Sequence, residues 1–164
     1  MATSVALPFE AFAKRQAITD AVINIVLAGG SNYLLSRHLG EVPLTRAFGN
    51  NAPSLFGALI ATSVLMSIFL TLIVFAITVA QRKSGKVMPP LSADTQGRGT
   101  VFRLAFLHLL ITLPPVIGLN LLAATVGQGV TLSPLVFASL VAAIAAVAAY
   151  YMSLHTTRTT LKLG

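Results

Sequence analysis

Three ionisable side chains interrupt otherwise apolar stretches of the sequence. Asp20 lies near the start of the first stretch, His108 about two turns into the third, and His155 at the end of the fourth. A titratable group inside hydrocarbon is costly, and by default it indicates a functional site. Asp20 therefore predicts a carboxyl that exchanges protons or binds substrate. The alternative is a first-turn acid that stays near water and pairs with Lys14 or Arg15.

Several other polar residues are predicted to share the membrane half that contains Asp20. Asn24 follows Asp20 by one helical turn, and Thr112 follows His108 by one turn. The candidates for a proton-linked or substrate-linked site in this half are Asp20, Asn24, His108, Thr112, Tyr150 and His155. The structural alternative for His108 is a neutral imidazole that bonds a hydroxyl or carbonyl on a neighbouring helix.

The inventory of catalytic and metal-binding groups is small. The chain has no cysteine, which excludes disulfides, thiolate nucleophiles, iron–sulfur clusters and cysteine-based zinc sites. A haem held by two histidines would need His155 beside His108, because His38 is predicted on the other side of the membrane. The sequence contains no phosphate loop, nucleophile elbow or zinc-protease helix. We therefore predict no catalytic residue, no metal site and no cofactor.

A second polar set is predicted in the opposite half of the membrane. Residues 29–32 can unwind the first span and expose backbone dipoles, as discontinuous helices do in transporters. Pro114 and Pro115 remove two amide donors from the third span and predict a kink there. The candidates for this outer polar cavity are Gly29, Gly30, Ser31, Asn32, Pro114, Pro115 and Asn120. The alternative is that the glycines belong to an ordinary transmembrane helix.

Small side chains recur at helical spacing along two segments and predict helix packing. The packing candidates are Gly57, Ala61, Ser63, Ser67, Thr71, Ala138, Ala142 and Ala146. Small residues let helix backbones approach one another closely inside a membrane. The alternative is that the hydroxyls of Ser63, Ser67 and Thr71 line a permeation path.

The elements that must position these residues follow from hydropathy. Of the 164 residues, 55% are hydrophobic and 9% charged, and the mean hydropathy is +0.85; soluble domains have roughly 25% charged residues. The sequence predicts an all-α membrane protein with a single domain, 1–164, that forms a bundle of four transmembrane helices. The predicted spans are about 17–36, 54–80, 101–126 and 133–154, after a short interfacial helix within 1–16. Because few residues separate the last two spans, we expect them to pack as antiparallel partners.

The basic residues determine the predicted orientation. All but two of the 11 Lys and Arg residues lie near the N-terminus, around the middle connection or in the C-terminal tail; the exceptions are Arg37 and Arg46. The positive-inside rule then places both termini in the cytoplasm, and we expect a bacterial inner membrane. We expect the basic residues behind the net charge of +7 to interact with anionic lipid headgroups rather than with nucleic acid. The expected partners are the lipid bilayer and either another membrane protein or a second copy of the chain.

The sequence is compatible with three functions. The first is a non-enzymatic accessory, assembly or scaffold subunit that acts through helix packing, since catalytic groups are few. The second is a small proton-coupled transporter, as a homodimer, that uses Asp20. The third is a haem or quinone membrane protein that uses His108. No motif assigns the chain to a known family.

Overall fold

Four long helices make up most of the structure, a computed structural model that describes residues 6–45, 52–95, 97–127 and 129–163. They are α1 at Phe9–Ser36, α2 at Leu55–Lys83, α3 at Arg98–Val126 and α4 at Pro134–Leu163. Each is long and apolar enough to cross a membrane, because 28 to 30 residues at 1.5 Å each reach about 42–45 Å, against ~30 Å of hydrocarbon. The prediction of an all-α chain with four apolar spans is confirmed.

Helix α1 begins earlier than the hydropathy pattern predicted. Residues 9–16, expected to form a separate interfacial helix, are continuous with the first span. Phe9 and Ala13 are buried in a cluster with Val87 from the connection between α2 and α3. This packing gives the first turns a tertiary partner, and the helix continues without a break into the apolar segment. The rest of the predicted interfacial segment includes residues 1–5, which lie outside the described residues.

Two short strand pairs join the connections at opposite ends of the helices. At one end, β1 (Leu7–Pro8) pairs in parallel with β3 (Val87–Met88). At the other end, β2 (Val42–Pro43) pairs antiparallel with β4 (Thr131–Leu132). The chain therefore alternates in direction from helix to helix. We call the end that contains β1 and β3 the basic end, because most of the Lys and Arg residues lie toward it.

Two of the helices contain a π-helical turn near mid-length. It covers Ile25–Gly29 in α1 and Met66–Leu70 in α2. The Ser31 hydroxyl donates to the carbonyl of Leu27 at 2.5 Å, and the Asn32 amide donates to that of Ala28 at 2.8 Å. These side chains satisfy carbonyls of the π turn, whose backbone hydrogen bonding departs from the α pattern. Residues 29–32, expected to unwind, are therefore helical, and the irregularity is a wider turn that ends at Gly29.

Helix α4 lies at the centre of the arrangement. It packs along both α1 and α2, and α3 packs along α2. The last two spans run antiparallel as expected, but within the described ranges they do not pack along each other, and they touch at separate places such as His108 and His155 near the basic end. A short connection holds together only the two helix ends that it joins, and it does not determine how the rest of the two helices pack. The small-residue faces of α4 are occupied by α1 and α2.

The buried side of α4 explains why two helices pack closely against it. Six buried positions of α4 are spaced alternately four and three residues apart, which is the spacing of left-handed helix packing. They are Ala138, Ala142, Ala145, Ala149, Met152 and Thr156. Ala145 is buried and the predicted Ala146 is half-buried, because the contact follows this mixed spacing rather than a strict repeat of four. We call these six positions the α4 seam.

The small-residue stripe predicted on α2 is divided between two surfaces. Ser67 and Thr71 are buried, and both hydroxyls bond side chains of α3. Gly57 and Ser63 are half-buried, whereas Ala61 is exposed. The half of the stripe nearer the basic end therefore joins α2 to α3 through hydrogen bonds, and the other half is more open.

Gly29 marks a close approach between α1 and the α4 seam. A Cβ atom at this position would lie 2.9 Å from the Cβ of Ala142, closer than real Cβ contacts. We expect Gly29→Ala to lower the free energy of unfolding by about 1–3 kcal/mol, because the added methyl forces the two helices apart. The measurement is unfolding by SDS in mixed micelles. Gly30→Ala is the control, since nothing lies within 4 Å of its Cβ; equal stability of the two variants would contradict the close approach.

Candidate functional site

The first part of the site is a carboxylate held between α1 and α4. Asp20 is 7% exposed. The hydroxyl of Ser153, itself buried on α4, donates to Oδ2 of Asp20 at 2.5 Å. The amide of Gln16, one turn earlier on α1, donates to the two carboxylate oxygens at 3.0 and 3.1 Å. All these donors are neutral, and in the part of the chain that the structure describes no Lys or Arg forms an ion pair with Asp20.

The expected partnership between Asp20 and Asn24 takes a different form. The Asn24 amide donates to the backbone carbonyl of Asp20 at 2.8 Å and not to its carboxylate. The alternative that Lys14 or Arg15 neutralises Asp20 is not what the structure shows, because both basic side chains are exposed and neither is bonded to it. The hydrogen-bonded cluster around the carboxylate therefore consists of Asp20, Gln16 and Ser153. The sequence indicated Asp20 but neither Gln16 nor Ser153.

The second part of the site is a chain of hydrogen bonds through both predicted histidines. Nδ1 of His108 bonds the Thr71 hydroxyl at 2.8 Å, and Nε2 bonds Nδ1 of His155 at 2.9 Å. His108 is buried, whereas His155 is exposed. The chain therefore leads from the surface near the basic end to a buried hydroxyl on α2. Such a chain can move a proton, because each imidazole can accept on one nitrogen and donate from the other.

One turn further from the basic end, a second polar contact joins α2 and α3. The Thr112 hydroxyl donates to the carbonyl of His108 at 2.8 Å. Because its hydrogen is used in that bond, the hydroxyl oxygen of Thr112 accepts from the Ser67 hydroxyl at 3.2 Å. The pairs Ser67–Thr112 and Thr71–His108 form two successive rungs, because each helix contributes residues four apart. Ser67 and Thr71 were predicted as packing residues. Both are buried between α2 and α3, and their hydroxyls also supply hydrogen bonds that hold α3 against α2.

The histidine pair matches one requirement of a haem site and fails another. The structure brings His108 and His155 together, with ring centroids 5.2 Å apart. The two facing nitrogens are 2.9 Å apart and bonded to each other, whereas two imidazoles that ligate one metal from opposite sides need about 4 Å between their nitrogens. Among the described residues, no group of three or more His, Cys, Asp or Glu side chains could hold a metal ion.

The remaining sequence candidates lie outside this site. Tyr150 is half-buried and packs edge-on against Tyr151, with centroids 5.4 Å apart. Pro114 and Pro115 are exposed, and α3 runs through both without interruption. Asn120 is half-buried on the same helix. The expected outer cavity does not combine these residues with those of α1, because α1 packs on α4 and α3 packs on α2.

Arg82 is a buried residue that the sequence analysis counted only as a basic charge. It is 1% exposed. Its guanidinium lies 5.9 Å from the centre of the Phe9 ring and donates to the backbone carbonyls of Pro89, at 2.9 Å, and Thr160. The side chain thereby ties the end of α2 to the following connection, the start of α1 and the end of α4. Its position in a run of basic residues gave no signal of this role.

A groove of about 750 Å³ lies between α1 and α2. Asp20 and Asn24 are part of its α1 wall, and both π turns line its middle. The remaining lining is mostly apolar and comes from both helices: Gln16, Thr19, Ile23, Leu27, Ala28, Ser31, Asn32, Leu35, Ala58, Ala61, Thr62, Leu65, Met66, Phe69, Leu70, Ile73 and Ile77. The groove exists because α1 and α2 pack against α4 rather than along each other. We call it the α1–α2 groove.

Comparison with known proteins adds no assignment to this geometry. No family model, curated protein or solved structure matches the chain. The two hydrogen-bonded groups and the α1–α2 groove are therefore the features that bear on function.

Proposed function

We propose that the protein is a small proton-coupled membrane transporter in which the α1–α2 groove receives the substrate and Asp20 exchanges the proton. The observation that carries this proposal is the buried Asp20 carboxyl in the groove wall, held by neutral donors alone. An ionised carboxylate without a cation is costly inside a membrane. Binding of a proton or of a cationic substrate removes that cost, and the two therefore compete for one site.

The substrate class follows from the lining of the groove. Its volume of about 750 Å³ lies in the range of sites for small molecules, which are mostly apolar with a few placed polar groups. The apolar wall suits an apolar body, and Asp20 suits a single positive charge. The substrate we propose is thus an amphiphilic organic cation that enters from the bilayer.

Protonation of Asp20 changes the contact between α1 and α4. An ionised carboxylate accepts from both Ser153 and Gln16, whereas a protonated carboxyl has one oxygen that is a donor. At least one of these hydrogen bonds must then change. A proton on Oδ2 displaces the Ser153 donor, and because Ser153 belongs to α4, protonation at that oxygen alters a link between the two helices. Both walls of the groove contain a π turn, where the backbone is not a regular α-helix. A shift of α1 relative to α4 can be accommodated at such turns.

Binding of tetraphenylphosphonium to the purified protein tests the proposal. We expect each bound cation to release a proton and the affinity to rise with pH, by at most about tenfold per pH unit, because a higher pH ionises the carboxyl that binds the cation. The measurements are calorimetry at several pH values and the pH change in weak buffer. Asp20→Asn should release no proton. Binding that is independent of pH in the wild type would contradict the competition.

A second candidate function is the accessory or scaffold subunit, and the length of the α1–α2 groove favours it. Its lining on α1 runs from Gln16 to Leu35, about 28 Å of helix, which is close to the hydrocarbon thickness. A helix of another membrane protein can occupy such a groove. This function predicts a stoichiometric partner after purification in mild detergent, together with no proton release by tetraphenylphosphonium.

A further inference from the structure

A cavity of about 650 Å³ lies at the basic end, between the start of α3 and the end of α4. Its polar lining consists of Thr100, Arg103, His155, Thr159 and Lys162. Its other lining residues are Gly99, Leu104, Leu107 and Leu163. We call it the basic cavity. It is separate from the α1–α2 groove, with which it shares no lining residue.

Among the residues that the structure describes, no acid neutralises the positive charge of the basic cavity. None of its lining residues is Asp or Glu. Within the described ranges, neither Arg103 nor Lys162 has a hydrogen bond or ion pair, and the acid Glu10 at this end is paired with Arg158 at 2.7 Å. Two free cationic side chains in one cavity attract an anion, and a planar guanidinium is well suited to phosphate oxygens.

His155 connects the basic cavity to the buried histidine chain. Its Nδ1 atom is bonded to His108, which leaves Nε2 as the polar atom available to a ligand. The hydroxyl of Thr159 donates to the carbonyl of His155 at 2.9 Å and so turns its hydrogen away from a ligand. An anion in the cavity can therefore accept hydrogen bonds from the side chains of Arg103, His155 and Lys162, which all line it.

We propose that the basic cavity binds a phosphate-bearing anion through Arg103, Lys162 and His155. Basic pockets between transmembrane helices are sites for anionic headgroups, and Leu104 and Leu107 provide an apolar side for an acyl chain. A free phosphate ion offers the same oxygens without the chain. Bound phosphate accepts a hydrogen bond from Nε2–H of His155, which leaves Nδ1 of the neutral His155 ring to accept from Nε2–H of His108. This site goes beyond the proposed transport and does not depend on it.

The test compares two double variants that each remove two positive charges. R103Q/K162Q removes the charges of the basic cavity, and K14Q/R15Q removes two exposed charges outside it. Native mass spectrometry counts retained lipid after extraction from vesicles of phosphatidylcholine with one-tenth phosphatidylglycerol. Nitrogen NMR of His155 follows separate titrations with phosphatidylglycerol and with inorganic phosphate. All four substituted side chains are exposed, and thermal melting checks that each variant folds.

The expected result is that wild type and K14Q/R15Q retain phosphatidylglycerol and shift the His155 signal, whereas R103Q/K162Q binds about tenfold or more weakly. A shift with phosphatidylglycerol alone identifies a lipid headgroup as the ligand. A shift with inorganic phosphate alone identifies a free anion, and a shift with both shows that the phosphate is the shared determinant. No shift of His155 with either probe, or equal loss in both double variants, would overturn the proposal.

Discussion

Asp20→Asn is expected to reduce proton-driven transport of tetraphenylphosphonium by roughly 100-fold or more, the usual scale for loss of a proton-transferring group. Asparagine has nearly the same shape but cannot exchange a proton. Its oxygen can still accept from Ser153, and the Gln16 amide can rotate to accept from the new NH2 group. The fold should therefore persist while coupling is lost. The measurement is uptake into reconstituted vesicles driven by an imposed pH gradient.

The control for this experiment is another acid of α1. Glu10 is exposed, lies near the basic end and pairs with Arg158 at 2.7 Å. Glu10→Gln removes the same charge as Asp20→Asn but does not alter the α1–α2 groove, and we expect it to transport at close to the wild-type rate. Transport by Asp20→Asn at that same rate would remove the carboxyl from the mechanism.

Arg82→Met is expected to lower the free energy of unfolding by about 2–3 kcal/mol. The substitution leaves the buried carbonyl of Thr160 without its donor, which costs about 1–3 kcal/mol, and it also removes the hydrogen bond to the carbonyl of the exposed Pro89. It also removes the cation beside the Phe9 ring. Thermal melting or SDS unfolding in mixed micelles measures the loss.

Two further variants make the result for Arg82 specific. Arg82→Lys keeps the charge but has one point of donation instead of a planar fork, and we expect an intermediate loss. Lys86→Met changes an exposed cation in the same connection, so that its effect should be within about 0.5 kcal/mol of zero. If Arg82→Met were as stable as Lys86→Met, Arg82 would not tie the basic end together.

The spans were predictable because hydropathy is a local property. A run of apolar residues long enough to cross hydrocarbon must become a helix that satisfies its own backbone, whichever neighbours it later acquires. The structure has all four helices, with the start of α1 at Phe9 and the end of α4 at Leu163, beyond the predicted bounds. These extensions depend on contacts such as that of Phe9 with Val87, which hydropathy does not contain.

The site was predictable in its ionisable residues and not in their partners. Asp20, His108 and His155 stand out because each is expensive in an apolar segment. Ser153 and Thr71 are common residues in membrane helices, and nothing in their spacing indicates which acid or imidazole they bond. Arg82 looked like one of several surface charges, and its burial is a consequence of carbonyls that two other segments bring to it.

The sequence by itself determined an all-α chain with four apolar spans and the few groups in them able to exchange a proton. Only the tertiary structure decided that α4 packs between α1 and α2 and that α3 packs on α2, and with this order came the α1–α2 groove and the histidine chain. The physical reason is that lipid is as apolar as the helix surfaces, so hydropathy does not distinguish one neighbour from another. Close packing at Gly29 and the α4 seam, together with hydrogen bonds between helices, makes that choice.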